Sequence, residues 1–432
     1  MITKLNFTDR TIKSYAIRKL TPKECFRLMG VRDNVIRTMQ STNAEAAAIT
    51  TTFNVKGKPE DMAISPTQQY RQAGNSIVVD VLAHLYRQLW YPQPVAAESV
   101  QMSLFEEDTL PTAPPHSDDE KVIITTFSGY DSQLMAADVL KEWYPDFRWT
   151  CMGWSDIDKY ACLMHDIIFP QYADRALGDI TKIDWHAVKD SLQGREVDLF
   201  TYSSPCQDIS QAGKQMGLQE GSGTRSALLW HVAEAVEVLR PRYLLQENVA
   251  ALVSQKFMPD FQRWLDRLSS LGYVSRWARL NAKNYGVPQN RDRVFCLSMR
   301  SDVAFDYRFP EPFELATRLE DILEEEVDER YFLKDEAVGK FLKANDEDNA
   351  LFVQFDLPPT HEAAMFLKTW LTLRMSTLNG WEMEVEELSR CIENERDVLN
   401  SDFASFSKYH TFPCEGFEEL FNENMERKKN EL

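Results

Sequence analysis

The stretch Val122–Phe127 (VIITTF) runs directly into SGYDS at positions 128–132. Six consecutive apolar or β-branched residues predict a buried strand, and the glycine that follows predicts a turn that opens a helix. In α/β proteins such a turn brings backbone N–H groups close to a cofactor. With one glycine and no full Gly-x-Gly-x-x-Gly pattern, the turn taken alone favours an ordinary strand–helix connection.

Strands and helices alternate after this stretch. Short β-rich runs occupy residues 149–155, 198–203, 243–248, 275–281 and 293–299, and apolar residues at helical spacing fill 225–239 and 260–271. The alternation predicts an α/β fold with a mostly parallel, doubly wound sheet. Because ligands bind beyond the carboxyl ends of the strands in such sheets, polar residues at those ends are the candidate site residues.

The part that precedes the sheet ends in an amphipathic helix. Its apolar stripe consists of Ile77, Val78, Val81, Leu82, Leu85 and Leu89. Either Asn75 or Ser76 can cap this helix. Residues 91–120 are rich in proline and acidic residues and predict a flexible linker. We expect residues 1–90 to dock on the α/β sheet across that linker, because the stripe needs a surface that buries it.

The charge of the chain is distributed unevenly. The 432 residues carry a net charge of −19, and residues 301–432 hold 32 acidic and 14 basic residues, so the first 300 are nearly neutral and can approach phosphates. The seven cysteines are dispersed without a Cys-x-x-Cys pair, which predicts no disulfide framework and no metal site and fits a cytoplasmic protein. Neither a membrane helix of roughly 20 apolar residues nor an apolar signal segment is present in the sequence.

Two acidic residues follow strand-like runs. Asp156 stands in SDIDKYA at the end of the second strand. A carboxylate there can accept hydrogen bonds from both hydroxyls of a ribose, or it can cap the next helix. Asp179 stands in Gly178-Asp179-Ile180 before a polar turn, and by itself it predicts little.

Two further candidates end the next strands of the same sheet edge. Cys206, in Ser-Pro-Cys-Gln, can be an exposed nucleophile, although the motif alone favours a buried small hydrophobe. Glu247, in Gln-Glu-Asn-Val, can donate a proton at neutral pH if its surroundings are apolar. The alternative for Glu247 is a structural ion pair.

Three polar residues alternate just before the run 293–299. In an extended chain Gln289, Arg291 and Arg293 point to one face. Two guanidinium groups on one face invite an anion or a carboxylate partner, and the alternative is a solvated run of charges.

The order and spacing of these motifs resemble the DNA (cytosine-5) methyltransferases. The resemblance rests on FSG (127–129), SDIDKYA (155–161), GDI (178–180), SPCQ (204–207), QENV (246–249) and QNRDR (289–293), covers residues 121–300 and continues into EEEVDERYFL (324–333). Two blocks that normally follow the target-recognition region of the family come first here, at 18–28 and 70–79. The chain therefore resembles a circularly permuted member, which is possible because domain termini often lie close together.

This resemblance implies a Rossmann-like methyltransferase sheet with a small, mostly helical or irregular C-terminal region. It divides the chain into a permuted segment at 1–90, the linker at 91–120, a catalytic domain at 121–310 and an acidic region at 311–432. It also implies a cytoplasmic enzyme of a prokaryote or a phage, of the kind found in restriction–modification systems.

The implied activity is methyl transfer from S-adenosyl-L-methionine to C5 of cytosine in double-stranded DNA. The base has to leave the helix for this chemistry. By resemblance, Cys206 is the nucleophile that adds to C6, and Glu247 holds the N3 and N4 edge and donates a proton toward N3. Arg291, with Arg293 nearby, would polarise the base carbonyl.

The resemblance also implies a binding site for S-adenosyl-L-methionine. Its residues are Phe127, Ser128, Gly129, Asp156, Ile157, Asp179, Pro205, Asn75 and Ser76. Asp156 would bind the ribose and Asp179 the adenine amino group, while Asn75 and Ser76 would complete the pocket from the permuted segment. The first block lacks the second glycine that is usual in the family, and Asp156 replaces the commoner glutamate.

The C-terminal region departs from the family pattern because it is acidic where phosphate contact rewards basic residues. Its predicted helices, near 363–370 and 381–398, carry Trp381, Val385, Leu388 and Ile392 on one face. This face would either dock a protein partner that brings specificity, or the region would restrain non-specific binding to DNA. Two other functions remain open at this point: an RNA cytosine-5 methyltransferase, and a non-catalytic protein of the same fold that binds DNA or a partner.

Overall fold

The computed structural model divides the chain into two units. Unit 1 consists of Met1–Thr21 and Glu324–Leu432, and unit 2 consists of Pro22–Leu323. The structure describes residues 2–6, 11–15, 17–45, 64–92, 111, 119–204, 225–334, 337–338, 350–355, 357, 360–378, 380–383 and 385–409. This division differs from the sequence-based one, because residues 1–21 belong with the C-terminal region rather than with the rest of the segment 1–90.

The regular elements are numbered along the described residues. The strands are β1 (Ile2–Asn6), β2 (Thr11–Tyr15), β3 (Lys121–Thr126), β4 (Trp149–Ser155), β5 (Leu199–Tyr202), β6 (Tyr243–Val249), β7 (Tyr273–Asn281), β8 (Asp292–Arg300) and β9 (Ala350–Gln354). The helices are α1 (Pro22–Arg27), α2 (Asp33–Glu45), α3 (Pro66–Asn75), α4 (Val79–Trp90), α5 (Ser132–Trp143), α6 (Lys159–Ile168), α7 (Trp185–Ser191), α8 (His231–Leu239), α9 (Met258–Ser270), α10 (Leu319–Ile322), α11 (His361–Thr377), α12 (Val385–Asn394) and α13 (Arg396–Tyr409).

The sheet of unit 2 has the strand order β4-β3-β5-β6-β8-β7. Neighbouring strands from β4 to β6 are parallel, whereas β8 is antiparallel to both β6 and β7. The predicted mostly parallel α/β sheet is therefore confirmed. The register pairs Val249 at the end of β6 with Arg293 at the start of β8. The reversed direction of β8 thus brings its first residues to the edge where the parallel strands end.

Helices cover both faces of this sheet, as the doubly wound prediction requires. Apolar residues alternate along each strand, so Ile123 of β3 belongs to one hydrophobic cluster and Ile124 to the other. The first cluster includes residues of α4, α5 and α6, and the second includes residues of α7, α8 and α9. Strands buried on both faces read as continuous apolar runs, which explains why VIITTF carried so clear a signal.

The apolar stripe at the end of the segment 1–90 is buried as expected. Val81, Leu82, Leu85 and Leu89 are each no more than 3% exposed in the hydrophobic cluster that α4 shares with α5. The described residues of 22–90 thus pack within unit 2, on one face of its sheet.

The predicted cap of the stripe helix is wrong. Asn75 is the last residue of α3 and Ser76 follows as its C-terminal cap, whereas α4 begins at Val79 without a side-chain cap. The N–H of Val79 instead donates to the carbonyl of Met29 at 2.9 Å. That backbone contact satisfies one of the N-terminal N–H groups of α4 that have no acceptor within the helix.

Unit 1 contains a three-stranded antiparallel sheet in the order β2-β1-β9. Leu5 of β1 and Ile12 of β2 are buried in a cluster with residues of α11, α12 and α13. The pairing of β1 with β9 explains why the first residues of the chain belong with the C-terminal region. The helix expected near 363–370 is confirmed within α11, and the one expected at 381–398 is divided into a short turn of 3₁₀ helix, α12 and the start of α13.

The prediction that one helix face of the C-terminal region docks a protein partner is in part wrong. Leu388 and Ile392 are 0% and 3% exposed, because they belong to the hydrophobic cluster of unit 1 itself. The side chains of Trp381 and Val385 lie outside the described residues. Along the part of the chain that the structure describes, no helix is long and apolar enough to cross a membrane.

Candidate active site

Predicted site residues of unit 2 that the structure describes gather where its parallel strands end. Phe127 follows β3, Asp156 follows β4, Ser203 follows β5, and Glu247 lies near the end of β6. The antiparallel β8 begins at the same edge and adds Arg293. This is the edge at which α/β sheets bind ligands.

The turn after β3 is held in an unusual backbone conformation. Phe127, Gly129 and Asp131 have φ angles of 52°, 60° and 68°. The left-handed region is uncommon for residues with a side chain, and such strain persists only where the surroundings fix it. A Cβ added to Gly129 would meet no atom within 4 Å, so the turn faces open space. The glycine therefore leaves room for a ligand to approach the backbone.

Asp156 is fixed against this turn. Its Oδ2 accepts a hydrogen bond from the Gly129 N–H at 2.8 Å, and its Oδ1 accepts from the N–H groups of Ile157 and Asp158 at 2.7 and 2.8 Å. Burial raises the pKa of Asp156, and these backbone donors oppose that shift. An ionised carboxylate offers about four acceptor positions. Three are used, so about one remains for a ribose hydroxyl, rather than the two that the sequence suggested.

The role of helix cap belongs to the neighbouring acid. Asp158 accepts from the N–H groups of Tyr160 and Ala161 at the start of α6. It also lies 3.3 Å from the guanidinium of Arg71, which belongs to α3. Because Asp158 caps α6, Asp156 does not act as the helix cap that the sequence left open.

Ile157 projects beside Asp156 and is 74% exposed. An apolar side chain with so much surface in water gains nothing for the fold, so its surface is available to an apolar or aromatic ligand. Ser155 connects this point to the next candidate, because its hydroxyl donates to the Gly178 carbonyl at 2.6 Å. An added Cβ at Gly178 would also meet nothing within 4 Å.

Asp179 follows Gly178 and caps a short turn of 3₁₀ helix. Its Oδ1 accepts from both the N–H and the hydroxyl of Thr181, at 3.0 and 2.9 Å, and Lys182 lies 3.2 Å from Oδ2. These hydrogen bonds, those from the backbone first, lower the pKa of Asp179. Asp179 is therefore an oriented, ionised acceptor at the same sheet edge.

Asn75 and Ser76 are held at the site by Arg291. The Nη2 of Arg291 donates to the carbonyls of Gly74 and Ser76 at 2.9 and 2.6 Å. Tyr130 of the β3 turn is buried nearby: burial raises its pKa, while the Ser76 hydroxyl and the Arg291 charge oppose the shift. Asn75 itself is exposed at the end of α3. The residues joined in this way come from two distant parts of the chain, 74–76 and 130–291.

Glu247 is paired with Arg293, which corrects the expectation of apolar surroundings. Its Oε1 lies 3.1 Å from Arg293 Nε, and its Oε2 accepts a hydrogen bond from the Ser203 hydroxyl at 2.7 Å. The Glu247 side chain is 9% exposed. Two polar partners fix its orientation, and about two of its acceptor positions remain.

The chain that leads toward Cys206 is tied to the same strand. The Asn248 side-chain amide donates to the Ser204 carbonyl at 3.3 Å, next to the bond between Ser203 and Glu247. Pro205 and Cys206 lie outside the described residues. Ser203 and Ser204, which directly precede Pro205 and Cys206, are thus both hydrogen-bonded to side chains of β6.

The QNRDR block does not form one continuous extended face. The Gln289 and Arg291 N–H groups donate to the carbonyls two residues earlier, which makes tight turns, and regular strand begins only at Asp292. Gln289 donates through Nε2 to the Leu28 carbonyl at 3.0 Å. Gln289 and Arg291 therefore bind carbonyls of residues 28, 74 and 76, whereas Arg293 pairs with Glu247.

Asp131 is a buried residue of the β3 turn that sequence reasoning did not single out. It accepts hydrogen bonds from Thr125 and from the Leu134 N–H at 2.7 and 3.2 Å, and His165 Nε2 lies 3.6 Å away. Burial raises the pKa of Asp131 to about 6, against the opposing effects of His165 and Thr125. The signal that the sequence offers is an Asp directly before the helical run Ser132–Trp143, which is a preferred N-cap residue.

A strained glycine turn and oriented carboxylates at strand ends define an α/β protein that binds a cofactor at this edge. The sequence profile of the C-5 cytosine-specific DNA methylases matches residues 2–90 and 126–422, so the chain belongs to that family. Among the described residues, no group of three or more His, Cys, Asp or Glu side chains is arranged to hold a metal ion.

The chain is also similar to individual members. It is 42% identical over 176 residues to the type II methyltransferase M2.ScrFI of Lactococcus lactis subsp. cremoris, covering 41% of this chain and 47% of that protein. It is 46% identical over 108 residues to the orphan methyltransferase M.SssI of Spiroplasma monobiae, covering 24% and 28%. The chain thus spans less than half the length of these relatives. The solved structure of the S. pombe Dnmt2 methyltransferase is 18% identical, with a TM-score of 0.39, over 53% of this chain and 67% of that one.

Proposed function

We propose that this protein transfers a methyl group from S-adenosyl-L-methionine to C5 of cytosine in double-stranded DNA. The observation that carries the proposal is the arrangement around Glu247. Arg293 Nε lies 3.1 Å from one oxygen of its carboxylate, and the Ser203 hydroxyl donates to the other at 2.7 Å. Ser203 follows β5, and the chain continues from it through Ser204 to Pro205 and Cys206. Because Cys206 follows Ser204 by only two residues, chain connectivity keeps it within about 7 Å of that residue.

Cytosine C5 is too weak a nucleophile to take a methyl group unaided. In our proposal the Cys206 thiolate adds to C6 of a flipped base, so that C5 becomes nucleophilic. S-adenosyl-L-methionine, when bound, would supply the methyl group that C5 attacks, and the bond from that methyl to sulfur would break to leave S-adenosylhomocysteine. The C5 proton is then lost to a base, the bond between Cys206 and C6 breaks, and the thiolate is restored.

Glu247 would recognise the base and move a proton at N3. Its remaining acceptor positions suit the N4 amino hydrogens of cytosine. We propose that base entry weakens the contact between Glu247 and Arg293, that Glu247 then donates a proton toward N3, and that Arg293 turns toward the base carbonyl.

The cofactor site would be built from the turn after β3 and the ends of the following elements. Open space at Gly129 and Gly178, the exposed surface of Ile157 and the oriented carboxylates of Asp156 and Asp179 suit a nucleoside with a ribose and an amino-substituted ring. Phe127 and Ser128 would line the same turn, and Pro205 would lie at the methyl end. Asn75 and Ser76 would close the site.

We further propose that the chain is a circularly permuted member of its family. Arg291 and Gln289 bind carbonyls of residues 28, 74 and 76, and α4 packs against α5 within unit 2. These contacts support the assignment of residues 18–28 and 70–79 as the two blocks that normally come last. A permuted segment is separated from the sheet by a linker, so it needs non-covalent contacts to stay on the sheet. The side chains of Gln289 and Arg291 provide such contacts.

The experiment that tests this function is a methyl-transfer assay with labelled S-adenosyl-L-methionine on three substrates: cytosine-containing duplex DNA, the same duplex with 5-methylcytosine at every cytosine, and transfer RNA. Label should enter the first duplex alone and appear as 5-methylcytosine after digestion to nucleosides. Label in transfer RNA and not in DNA would favour the RNA alternative. No label in any substrate, from protein that binds S-adenosyl-L-methionine, would favour the non-catalytic one.

A further inference from the structure

Two segments of the cofactor site, the turn after β3 and the segment between β4 and α6, contact each other at two depths. At the surface of the site, the Gly129 N–H donates to Asp156 at 2.8 Å. Beneath it, the Asp131 carboxylate of the same turn lies 3.6 Å from Nε2 of His165 in α6, and both side chains are 0% exposed. The deeper contact thus joins two ionisable side chains that are kept entirely away from water.

Asp131 is bonded to three parts of the turn and its surroundings. Its Oδ2 accepts a hydrogen bond from the Thr125 hydroxyl in β3 at 2.7 Å, and its Oδ1 accepts from the Leu134 N–H in the first turn of α5 at 3.2 Å. Its backbone N–H donates to the Ser128 carbonyl at 2.8 Å, which closes the turn over residues 128–131. A shift of the Asp131 side chain would therefore move the backbone that approaches the cofactor.

His165 is fixed from the other side of this contact. Its ring stacks on Trp154 of β4 with the centroids 3.8 Å apart, and the Trp154 indole N–H donates to the Tyr172 carbonyl at 2.8 Å. Its Nδ1 lies 3.5 Å from Oδ1 of Asp166. Its Nε2, the atom closest to Asp131 in this pair, is buried and has no hydrogen-bond partner among the described residues. An approach of less than about 1 Å would make it a hydrogen-bond partner of Asp131.

An apolar pair at these two positions would suit the fold better. Asp131 has a φ angle of 68°, which glycine adopts without a steric cost. Burial of two ionisable groups also contributes less to stability than burial of apolar side chains of similar volume. Strained residues and buried charges of this kind are typical of ligand sites. The effect of the carboxylate and the imidazole on the cofactor turn is therefore the role that accounts for them.

We propose that Asp131 and His165 are positioning residues for the cofactor, because their contact holds the turn after β3 against α6 in the geometry that binds S-adenosyl-L-methionine. The inference rests on the proposed function, since it takes the cofactor of that reaction as the ligand. Both side chains are fully buried, so each acts through the backbone of the turn around Gly129. Loss of either should therefore weaken cofactor binding.

The charge of Asp131 makes this positioning depend on pH. S-adenosyl-L-methionine carries a net positive charge because of its sulfonium group, and a bound cation favours the ionised form of a nearby carboxyl group. Burial raises the pKa of Asp131 to about 6, so the residue gains its negative charge as the pH rises through that value. Cofactor binding near pH 6 should therefore release protons from Asp131, and cofactor affinity should rise with pH.

The other ionisable groups around the pair are Asp156, Asp166, Tyr86 and Cys151. Burial, and then the charge of Asp131, raises the pKa of Tyr86 and of Cys151, so both stay neutral between pH 5.5 and 7.5. The charge of Asp156 raises the pKa of Asp131, and Asp166 lies beside the other ring nitrogen of His165. All four groups are present in wild type and in Asp131→Asn, so a comparison of the two proteins isolates the effect of Asp131.

The first test is calorimetric titration of the full-length protein with S-adenosyl-L-methionine at pH 6, in buffers that differ in ionisation enthalpy. Wild type should release protons on binding, and Asp131→Asn should release fewer. Asparagine still caps a helix and tolerates the left-handed region. Between pH 5.5 and 7.5, the dissociation constant of wild type should fall about threefold more than that of Asp131→Asn.

The matched control for this test is Asp138→Asn. Asp138 lies about two turns further along α5, and burial raises its pKa to about 6 as well. Its replacement should change neither the proton release nor the affinity for the cofactor. The control thus separates a buried carboxyl that titrates within the fold from one that positions the cofactor turn.

The second test is a double-mutant cycle at pH 7.5. His165→Phe keeps a ring that can stack on Trp154 but removes Nε2. Asp131→Asn and His165→Phe should each raise the dissociation constant for the cofactor about fivefold, and the double variant should raise it no further, because all three break the same contact. Urea unfolding of each variant without cofactor, measured in parallel, gives the folded fraction by which the affinities are corrected.

Four results would overturn the proposal. They are proton uptake by wild type, equal proton release by wild type and Asp131→Asn, an unchanged dissociation constant in both single variants, and a double variant whose effect is the product of the two single effects. Because these measurements use the cofactor without DNA, they are separate from methyl transfer. If wild type shows the expected binding but methylates no duplex DNA, the proposed function fails and the positioning pair stands. If wild type methylates duplex DNA without the expected binding behaviour, this inference alone is wrong, and a protein that binds no S-adenosyl-L-methionine contradicts both.

Discussion

Arg293 Nε lies 3.1 Å from Glu247 Oε1, although the two residues stand on antiparallel strands and are not directly opposite each other. Val249 is the residue opposite Arg293, so Glu247 is its diagonal neighbour on the same face. Long side chains reach across such diagonals. The one reversed strand of this sheet, β8, therefore supplies the guanidinium of Arg293, which orients the Glu247 carboxylate on the neighbouring strand β6.

Replacement of Glu247 by Gln should lower the rate of methyl transfer by about 10² to 10⁴, because the amide keeps the shape but cannot donate a proton in the same way. The rate is measured in single-turnover experiments with saturating S-adenosyl-L-methionine and DNA. Glu234→Gln, at an exposed position of α8, is the matched control and should retain the wild-type rate. A Glu247→Gln variant within about threefold of wild type would exclude an acid role for this residue.

Replacement of Arg291 by Met should weaken cofactor binding rather than the chemistry of the base. The variant loses the bonds to the Gly74 and Ser76 carbonyls, and hydrogen bonds from charged donors are worth about 1.5 to 3 kcal/mol each. Calorimetric titration should give a dissociation constant for S-adenosyl-L-methionine at least tenfold higher. Arg279→Met, at an exposed site paired with Asp292, should bind as wild type does. Unchanged cofactor affinity in Arg291→Met would show that Arg291 does not contribute to cofactor binding.

Replacement of Ile157 by Ser should weaken binding of S-adenosyl-L-methionine about tenfold without lowering the free energy of unfolding of the cofactor-free protein. The side chain is 74% exposed, so the fold loses little apolar burial, whereas a bound ring would lose a contact of about 1.4 kcal/mol. Leu319→Ser, at a position 50% exposed, should change neither quantity. A destabilised Ile157→Ser protein with normal cofactor affinity would show that the residue serves the fold.

Asp131 should make stability depend on pH. Its pKa is about 6 in the folded protein and near 3.9 in an unfolded chain, so the folded state binds more protons between these values. The contribution of Asp131 is complete below pH 4 and is lost as the pH rises through 6. Relative to wild type, Asp131→Asn should therefore gain about 1 kcal/mol of unfolding free energy between pH 5.5 and pH 8, out of about 3 kcal/mol over the whole range.

Urea titrations at those two pH values test this prediction, and they avoid the region near the isoelectric point of about 4.9, where proteins precipitate. Asp190→Asn, at an exposed position of α7, is the control and should differ from wild type equally at both pH values. A pH-independent difference for Asp131→Asn would mean that the buried carboxyl does not titrate in this range.

The sheet was predictable because each of its strands is a short apolar run with a turn signal after it. Those signals are local, and the strand-end position of Asp156 and Glu247 follows from them directly. The partners of these residues are not local. The sequence does not indicate that the Gly129 N–H donates to Asp156, or that Arg293 of β8 pairs with Glu247. Both contacts depend on the order of the strands in the sheet.

The errors have a common physical origin. The cap of α4 was assigned to Asn75 or Ser76 by residue preference, but a backbone contact with Met29 replaced it. The face around Leu388 was assigned to a partner by helical periodicity, but periodicity cannot distinguish a surface that awaits a partner from one that is buried in the same unit. The membership of residues 1–21 in unit 1 depends on strand pairing between the two ends of the chain, which spacing cannot reveal.

The measurement that tests the central claim most directly is covalent trapping on a duplex that contains 5-fluorocytosine. Fluorine blocks the proton loss that would release the enzyme, so the wild-type protein with S-adenosyl-L-methionine should form an adduct that survives denaturation. Peptide mapping should locate that adduct at Cys206, and Cys206→Ala should form none while it keeps wild-type affinity for the cofactor. An adduct on another residue, or methyl transfer to DNA by Cys206→Ala, would contradict the account.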